Sequence, residues 1–389
     1  MSTIVIKGGT AVLESELLDN ALIIVENDRI AFLGSKTSPF IPSDAEVIEA
    51  NGLWVCPGFV DVHVHGAGGD RLGADRDANI RIARTLARFG TTSFLAGIGT
   101  SSETTTFDAV TVISQLMEEG SGGAEILGIH LEGPYLSLQK KGGMDANYLR
   151  LPSVTELNQL IAASGNHIRL VGIAPELKGA IEAITYLRDR GIVVSVAHSN
   201  ATYEEACAGI WAGITHATHT YNAMTGLHHR EPGVLGAILG NDAVTAELIG
   251  DLVHVVPAAV LVLLRCKGPD RVTLVTDGVF ATGLPDGEYD HGDGRNVIVK
   301  NGVCELPDGT LAGSISTMNR NVANLVQKLH VDLAIAVRMA SLNPAREIGI
   351  SNHKGSLKPG KDADLTLLDR DFQVQRTFVR GSEVYRRQN

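Results

Sequence analysis

Eight short apolar runs recur through the middle of the chain, near residues 58–65, 91–98, 125–132, 168–174, 192–198, 213–219, 243–250 and 271–277. Each is about the length of one strand, and helix-like segments separate most of them. From Asp75 to Phe89, for example, Ile80, Ile82, Ala83, Leu86 and Phe89 fall at roughly helical spacing. Alternating strands and helices predict a parallel sheet, and eight such units predict a closed (β/α)8 TIM barrel. The alternative is an open doubly wound sheet, but neither a GxGxxG loop with its acidic partner nor a GxxxxGK[ST] loop supports it. A chain of 389 residues that is 44% hydrophobic can bury a large core and form more than one domain.

The two ends read differently. Ile4-Val5-Ile6-Lys7-Gly8-Gly9, Asn20 to Val25 and Arg29 to Gly34 are apolar runs bounded by turn residues, as are Asp364 to Asp369 and Thr377 to Gly381. Strand-rich ends around a barrel-like middle predict a small β domain built from residues 1–55 and 354–389, with the barrel spanning 56–353.

Lys plus Arg number 33 against 44 Asp plus Glu, a formal charge of -11. Such a chain repels phosphate backbones, so nucleic acid is not an expected partner, although a local Arg can still receive a small anion. Cys56, Cys207, Cys266 and Cys304 are far apart with no CxxC spacing, as in the reduced thiols of a cytoplasmic protein. The N-terminus lacks a basic start with a long apolar run, so no signal peptide is expected. No apolar stretch reaches the roughly 18–20 residues that cross a bilayer, so no membrane is expected as a partner.

Position is the telling feature of the polar residues. His63 and His65 end the first run, Glu132 the third, His198 the fifth, His219 the sixth and Asp277 the eighth. In a barrel the carboxyl ends of the strands converge on one face, which carries the active site. Residues two apart on a strand share a face, so His63 and His65 point the same way. His216 and His219 are three apart and cannot both point inward from a regular strand; His219 is nearer the end, and His216 is assigned a structural role. His130 shares parity with Glu132, one layer deeper. A single buried histidine is ordinarily a satisfied core residue, and an aspartate after a strand is often only a helix cap. Five runs ending in His, Glu or Asp at the same strand end are not explained by packing, because buried polar groups cost free energy unless paired. Imidazole and carboxylate are good ligands for zinc, iron, manganese or cobalt. Such a cation makes water acidic and polarises a carbonyl, and Asp277 beside it can carry the proton.

Pro57 to Gly66 resembles the first-strand motif of the amidohydrolase superfamily. His130 to Leu136, Ala197 to Tyr203, Thr218 to Met224, His229 to Gly233 and Leu311 to Ser314 resemble the N-acetylglucosamine-6-phosphate deacetylase family. Asn343-Pro344-Ala345 and Gly355 to Leu365 are shared by amidohydrolases broadly. The resemblance spans nearly the whole chain. It implies a TIM barrel with a small β-sandwich, usually a homodimer, that removes acetate from an N-acetyl amino-sugar 6-phosphate. It implies that Glu132, His198 and His219 bind the principal metal and that Asp277 is general base and acid. Asn222, Ala223, Arg230 and His254 would hold the sugar phosphate, Leu311, Ala312 and Gly313 would line the acetyl side, and the backbone at Gly143 would touch substrate. Many members have Gln and Asn in place of His63 and His65 and bind one metal; keeping both implies a second cation, so one or two divalent ions, zinc foremost, are expected. Two further departures stand out: Met144 occupies the place of a family histidine that polarises the amide carbonyl, and Thr276 to Phe280 differs from the usual residues after the aspartate. The competing functions are another amidohydrolase activity, on a different N-acetyl hexosamine or other N-acyl compound, and a catalytically inactive metal-binding scaffold.

Overall fold

The computed structural model describes residues 3–35, 43–290, 296–307, 309 and 311–388. Its centre is an eight-stranded parallel sheet: β1 (Phe59–Val64), β2 (Thr91–Ile98), β3 (Glu125–Glu132), β4 (Ile168–Ile173), β5 (Val193–Val196), β6 (His216–Ala217), β7 (Thr245–Ile249) and β8 (Val272–Val275). Each strand pairs with the next in chain order. A parallel bridge from Val64 to Gly278 and a bond from Asp277 N–H to the His63 carbonyl, 2.9 Å, bring the last strand back to the first. Every residue of β1 and β2 is buried, as expected of strands covered on both faces.

Helices α1 (Arg76–Ala87), α2 (Glu103–Glu119), α3 (Val154–Ala163), α4 (Ala180–Arg188), α5 (Tyr203–Ala212), α6 (Gly233–Leu239), α7 (Pro257–Lys267) and α8 (Met318–Leu329) follow the eight strands in turn. Helix α1 shows why these residues choose a helix. Asp75 accepts from the amides of Asp77 and Ala78 as N-cap, and Ala78, Ile82, Ala83 and Leu86 form one buried face. The strand residues Phe94, Ile129, Val171 and Val194 share one core cluster with Ile82, Ile113, Leu157, Ile184 and Val322 of the helices. Two more helices, α9 (Leu333–Ala340) and α10 (Leu342–Glu347), follow α8.

Both chain ends enter one eight-stranded sheet of mostly antiparallel pairs. Thr3–Val12 pairs with Leu17–Glu26, which pairs with Arg29–Ser35, while Trp54–Pro57 joins Thr3–Val12 to Leu365–Leu368 and the last two strands. The strand readings at both ends are met. A three-stranded antiparallel unit (Gly287–Asp290, Asn296–Lys300, Val303–Glu305) lies between β8 and α8, which the sequence pattern did not signal. Among the described residues no helix is long and apolar enough to cross a membrane.

Lys354 fastens the terminal sheet to the barrel. Its ammonium lies 2.6 Å from Asp364, 3.0 Å from Asp362 and 2.7 Å from Glu125, the first residue of β3. Burial opposes its charge, but the carboxylates of Asp364 and Glu125 outweigh burial and hold the lysine ionised. Removing one partner of such a buried network leaves uncompensated charge, at about 3–5 kcal/mol. Lys354→Met is therefore expected to lower the unfolding free energy, measured by urea denaturation, by an amount in that range. A loss below about 1 kcal/mol would show the network to be dispensable.

Candidate metal and active site

The carboxyl ends of β1, β3, β5, β6 and β8 deliver their polar residues to one point. Glu132 is the last residue of β3 and is buried. Its Oε1 lies 2.9 Å from His219 Nε2 and 3.2 Å from His198 Nε2, and its Oε2 lies 2.9 Å from His65 Nε2. His63 Nε2 is 3.5 Å from Oε1. Asp277 Oδ1 stands 3.4 Å from His63 Nε2 and 3.7 Å from His65 Nε2. The ligand-type atoms fall into two adjoining groups, Glu132 with His198 and His219, and His63 with His65 and Asp277. The barrel thus assembles all six residues that the sequence singled out at strand ends.

Regular strand geometry does not aim three of them. His198, His219 and Asp277 lie beyond β5, β6 and β8 with φ of 42°, 29° and 47°. A non-glycine residue pays roughly 1–2 kcal/mol for that left-handed conformation, and such strain concentrates at functional sites. Here the turn swings the side chain off the strand and into the barrel mouth. His216, still inside β6, stays buried behind the site with Nε2 2.9 Å from Glu247, in the structural role read from parity. His130 is likewise buried, its ring 4.7 Å from that of His63.

The donor set fits a cation. His65 Nδ1 donates to the Gly97 carbonyl at 3.1 Å and His198 Nδ1 to the Lys140 carbonyl at 2.8 Å. A carbonyl only accepts, so in each neutral ring the lone pair sits on Nε2 and faces Glu132. Yet His63 and His65 hold their Nε2 atoms 3.0 Å apart, and His198 and His219 hold theirs 3.1 Å apart. His63 Nδ1 is taken up by Glu247 at 2.8 Å, so the Nε2 lone pairs of His63 and His65 face each other, and that pair requires a proton or a metal ion between them. Burial works against charging His63, but Glu247, Asp277 and Glu132 outweigh it and raise its pKa well above the ordinary value. The same contest raises that of His198, where Glu132 prevails over burial. The carboxylates that hold a proton there would hold a divalent cation by the same attraction, and the two compete.

Sequence reasoning missed two acids of this layer. Asp61 accepts from Thr276 Oγ1 at 2.5 Å and so joins β1 to the end of β8. Burial pushes its carboxyl up to about 7 against the bonds from Thr276 and His63. It shares parity with His63 and His65, which was the available signal. Glu247, a lone acid inside the apolar run of β7, bonds His63 Nδ1 at 2.8 Å; its isolation among Val244, Ala246, Leu248 and Ile249 was the signal there.

The residues expected to hold substrate are distributed around this centre. Asn222 Nδ2 donates to the His219 carbonyl at 3.1 Å, and the Ala223 carbonyl accepts from Ser199 N–H, tying the loop after β6 to the loop after β5. The Ser314 amide donates to the Asp277 carbonyl at 3.3 Å, so the segment of Leu311, Ala312 and Gly313 leads directly into a contact with the aspartate. His254 Nδ1 bonds Asp251 at 2.6 Å; burial opposes its charge, but Asp251 outweighs it and raises the pKa. Gly143 is exposed, and a side chain built on it would meet open space. Its neighbour Gly142 packs so closely that a Cβ would lie 3.2 Å from His198 Cε1. Met144 is half-buried, its sulfur beside Gly99. Arg230 is the one outlier: it is exposed, its Nη1 meets His229 Nε2 at 2.8 Å, and it has no ion pair among the described residues.

Residues 54–384 match the model of the amidohydrolase family. An N-acetylgalactosamine-6-phosphate deacetylase of Escherichia coli O157:H7 is 40% identical over 87% of this chain and 90% of its own length. An N-acetylglucosamine-6-phosphate deacetylase of Vibrio furnissii is 40% identical over 88% of this chain and 85% of its own. Among solved structures, a mutant N-acetyl-D-glucosamine-6-phosphate deacetylase of Mycobacterium smegmatis in complex with N-acetyl-D-glucosamine-6-phosphate superposes with a TM-score of 0.91 at 34% identity, covering 99% of this chain and 100% of the other.

A ligand that binds only the folded state stabilises it by RT ln(1 + [L]/Kd), about 2.7 kcal/mol at one hundred times Kd. Zinc added to chelator-treated protein is expected to raise its melting temperature, and Glu132→Gln to abolish most of that rise. An unchanged rise in the variant would mean that the metal binds elsewhere.

Proposed function

The chain belongs to the N-acetylglucosamine-6-phosphate deacetylase family of amidohydrolases, and from that premise we propose that it hydrolyses the N-acetyl amide of N-acetyl-D-glucosamine 6-phosphate to glucosamine 6-phosphate and acetate. The observation that carries this reading is the convergence of Glu132, His198 and His219 beside His63, His65 and Asp277. Glu132, His198 and His219 would hold the principal cation and His63 and His65 a second, with Glu132 shared between them; zinc suits both groups. A cation bound there supplies Lewis acidity, polarising the acetyl carbonyl and making water acidic.

The chain's own groups do the rest. Asp277, at the mouth and 15% exposed, takes a proton from the attacking water as its oxygen adds to the carbonyl carbon. The C–N bond then breaks, and Asp277 returns the proton to the departing amine. His254, its pKa raised by Asp251, offers a charge-assisted donor to the phosphate, and Arg230 provides a second. Leu311, Ala312 and Gly313 would wall the acetyl group, a reading supported by the bond from the Ser314 amide to the Asp277 carbonyl. The galacto epimer is a specific second reading, because a relative named for that sugar is as similar as one named for the gluco form. Deacetylation rates on both sugars, with and without the 6-phosphate, test the proposal; no turnover on any of them at any metal load would overturn it.

Asp277→Asn is expected to lower kcat at least ~10²–10⁴-fold while leaving metal content near that of the parent, because loss of a general base costs about that much. Elemental analysis alongside steady-state kinetics checks both halves, and near-normal turnover removes Asp277 from the mechanism. Arg230→Ala is expected to raise KM for the phosphorylated sugar by an amount equivalent to about 2–3 kcal/mol, the worth of a hydrogen bond to a charged group. It should barely affect an unphosphorylated substrate; equal losses on both would make Arg230 structural.

A further inference from the structure

We propose that Glu247 is a positioning residue of the metal centre: it keeps the proton of His63 on Nδ1, and so the ligating Nε2 inward, while clamping the backbone of His219. The proposal rests on the reading of these histidines as metal ligands.

Glu247 is the third residue of β7 and is fully buried. Its two oxygens accept three bonds. Oε2 takes His63 Nδ1–H at 2.8 Å and the His219 backbone N–H at 2.8 Å. Oε1 takes His216 Nε2–H at 2.9 Å. The His219 amide can only donate, so Oε2 is an acceptor, and the proton in its bond with His63 belongs to Nδ1. Neutral His63 can then be only the Nδ1–H tautomer, with its lone pair on Nε2, the atom that faces His65, Glu132 and Asp277. The bond to His219 acts on a different problem. His219 has φ 29°, and the bond its amide donates to a buried, anchored carboxylate helps hold that turn.

One carboxylate thus touches a residue of each ligand group, His63 in one and His219 in the other. His216 braces it from behind. Its Nδ1 lies 3.3 Å from Glu347 Oε1 in α10, close enough for attraction but without hydrogen-bond alignment. Burial disfavours its charge, yet Glu347 and Glu247 outweigh it and push its pKa up to about 10, so an imidazolium balances the charge of Glu247.

Two substitutions separate positioning from charge. In Glu247→Gln the amide oxygen can still accept from His63 and His219, while its NH2 donates to a neutral His216 turned to the Nδ1–H form. Glu247→Met matches the length but accepts nothing. Zinc affinity, measured by competition with a chelator, is expected to fall about 10–100-fold in the Met variant, the usual loss for a group that orients a metal-binding histidine. The Gln variant should stay within a few-fold of the parent. Zinc affinity in the Met variant equal to the parent's, or an equal loss in both variants, would overturn the proposal. Should the Met variant not fold, nitrogen-resolved NMR of the zinc-loaded parent decides: His63 is expected to carry its proton on Nδ1, and a proton on Nε2 would refute it. No measurement here uses substrate, so failure of the deacetylase reading leaves these outcomes unchanged.

Discussion

Glu132 is the charge on which the site depends. Four imidazole Nε2 atoms, from the ends of three different strands, lie within 3.5 Å of its two oxygens. An isolated carboxylate at this depth would be expensive, since removing an ion from water costs several kcal/mol even after the protein relaxes. Here the positive charge gathered by the histidines, as protons or as metal, offsets that cost. The histidines in turn are tolerable in the interior only because the carboxylate is there. Neither half is stable alone, which makes the cluster a unit.

That unit is held by a second layer with little freedom. Backbone carbonyls of Gly97 and Lys140 fix His65 and His198, and Glu247 fixes His63. The Lys140 carbonyl belongs to the loop that also carries Gly142 and Gly143, so the segment expected to touch substrate is the segment that orients His198. Barrel closure serves the same end: Asp61 bonds Thr276, and the Asp277 amide bonds the His63 carbonyl. Asp277, His63 and His65 are therefore placed by the seam between β1 and β8.

The rim is built from longer connections. The three-stranded unit after β8 brings Leu311 to Gly313 back toward Asp277 through the parallel bridge between Gly278 and Ser314. A Cβ on Gly313, which has φ 85°, would lie 2.3 Å from Val279, so this close approach requires glycine. Arg230 stands apart on the loop after β6, exposed and pointed at His229. Its charge is available to an anion.

The sequence alone determined the barrel and its order, because strand runs buried on both faces are apolar throughout and alternate with amphipathic helices. It also determined which polar residues end those runs, since a histidine or acid after such a run is conspicuous. It predicted strands at both ends of the chain, where turn residues bound each run. It did not reveal Glu247 or Asp61 as partners of His63, because the bonds of a buried acid depend on which strands lie opposite. The carbonyls of Gly97 and Lys140 leave no trace in residue type at all. Parity favoured His219 over His216 but could not explain its aim, since the left-handed turns at His198, His219 and Asp277 lie outside any strand period. Those turns, the shared carboxylate and the pairing of Nε2 atoms at about 3 Å were decided only by tertiary structure, because they need strands distant in sequence to close on one another.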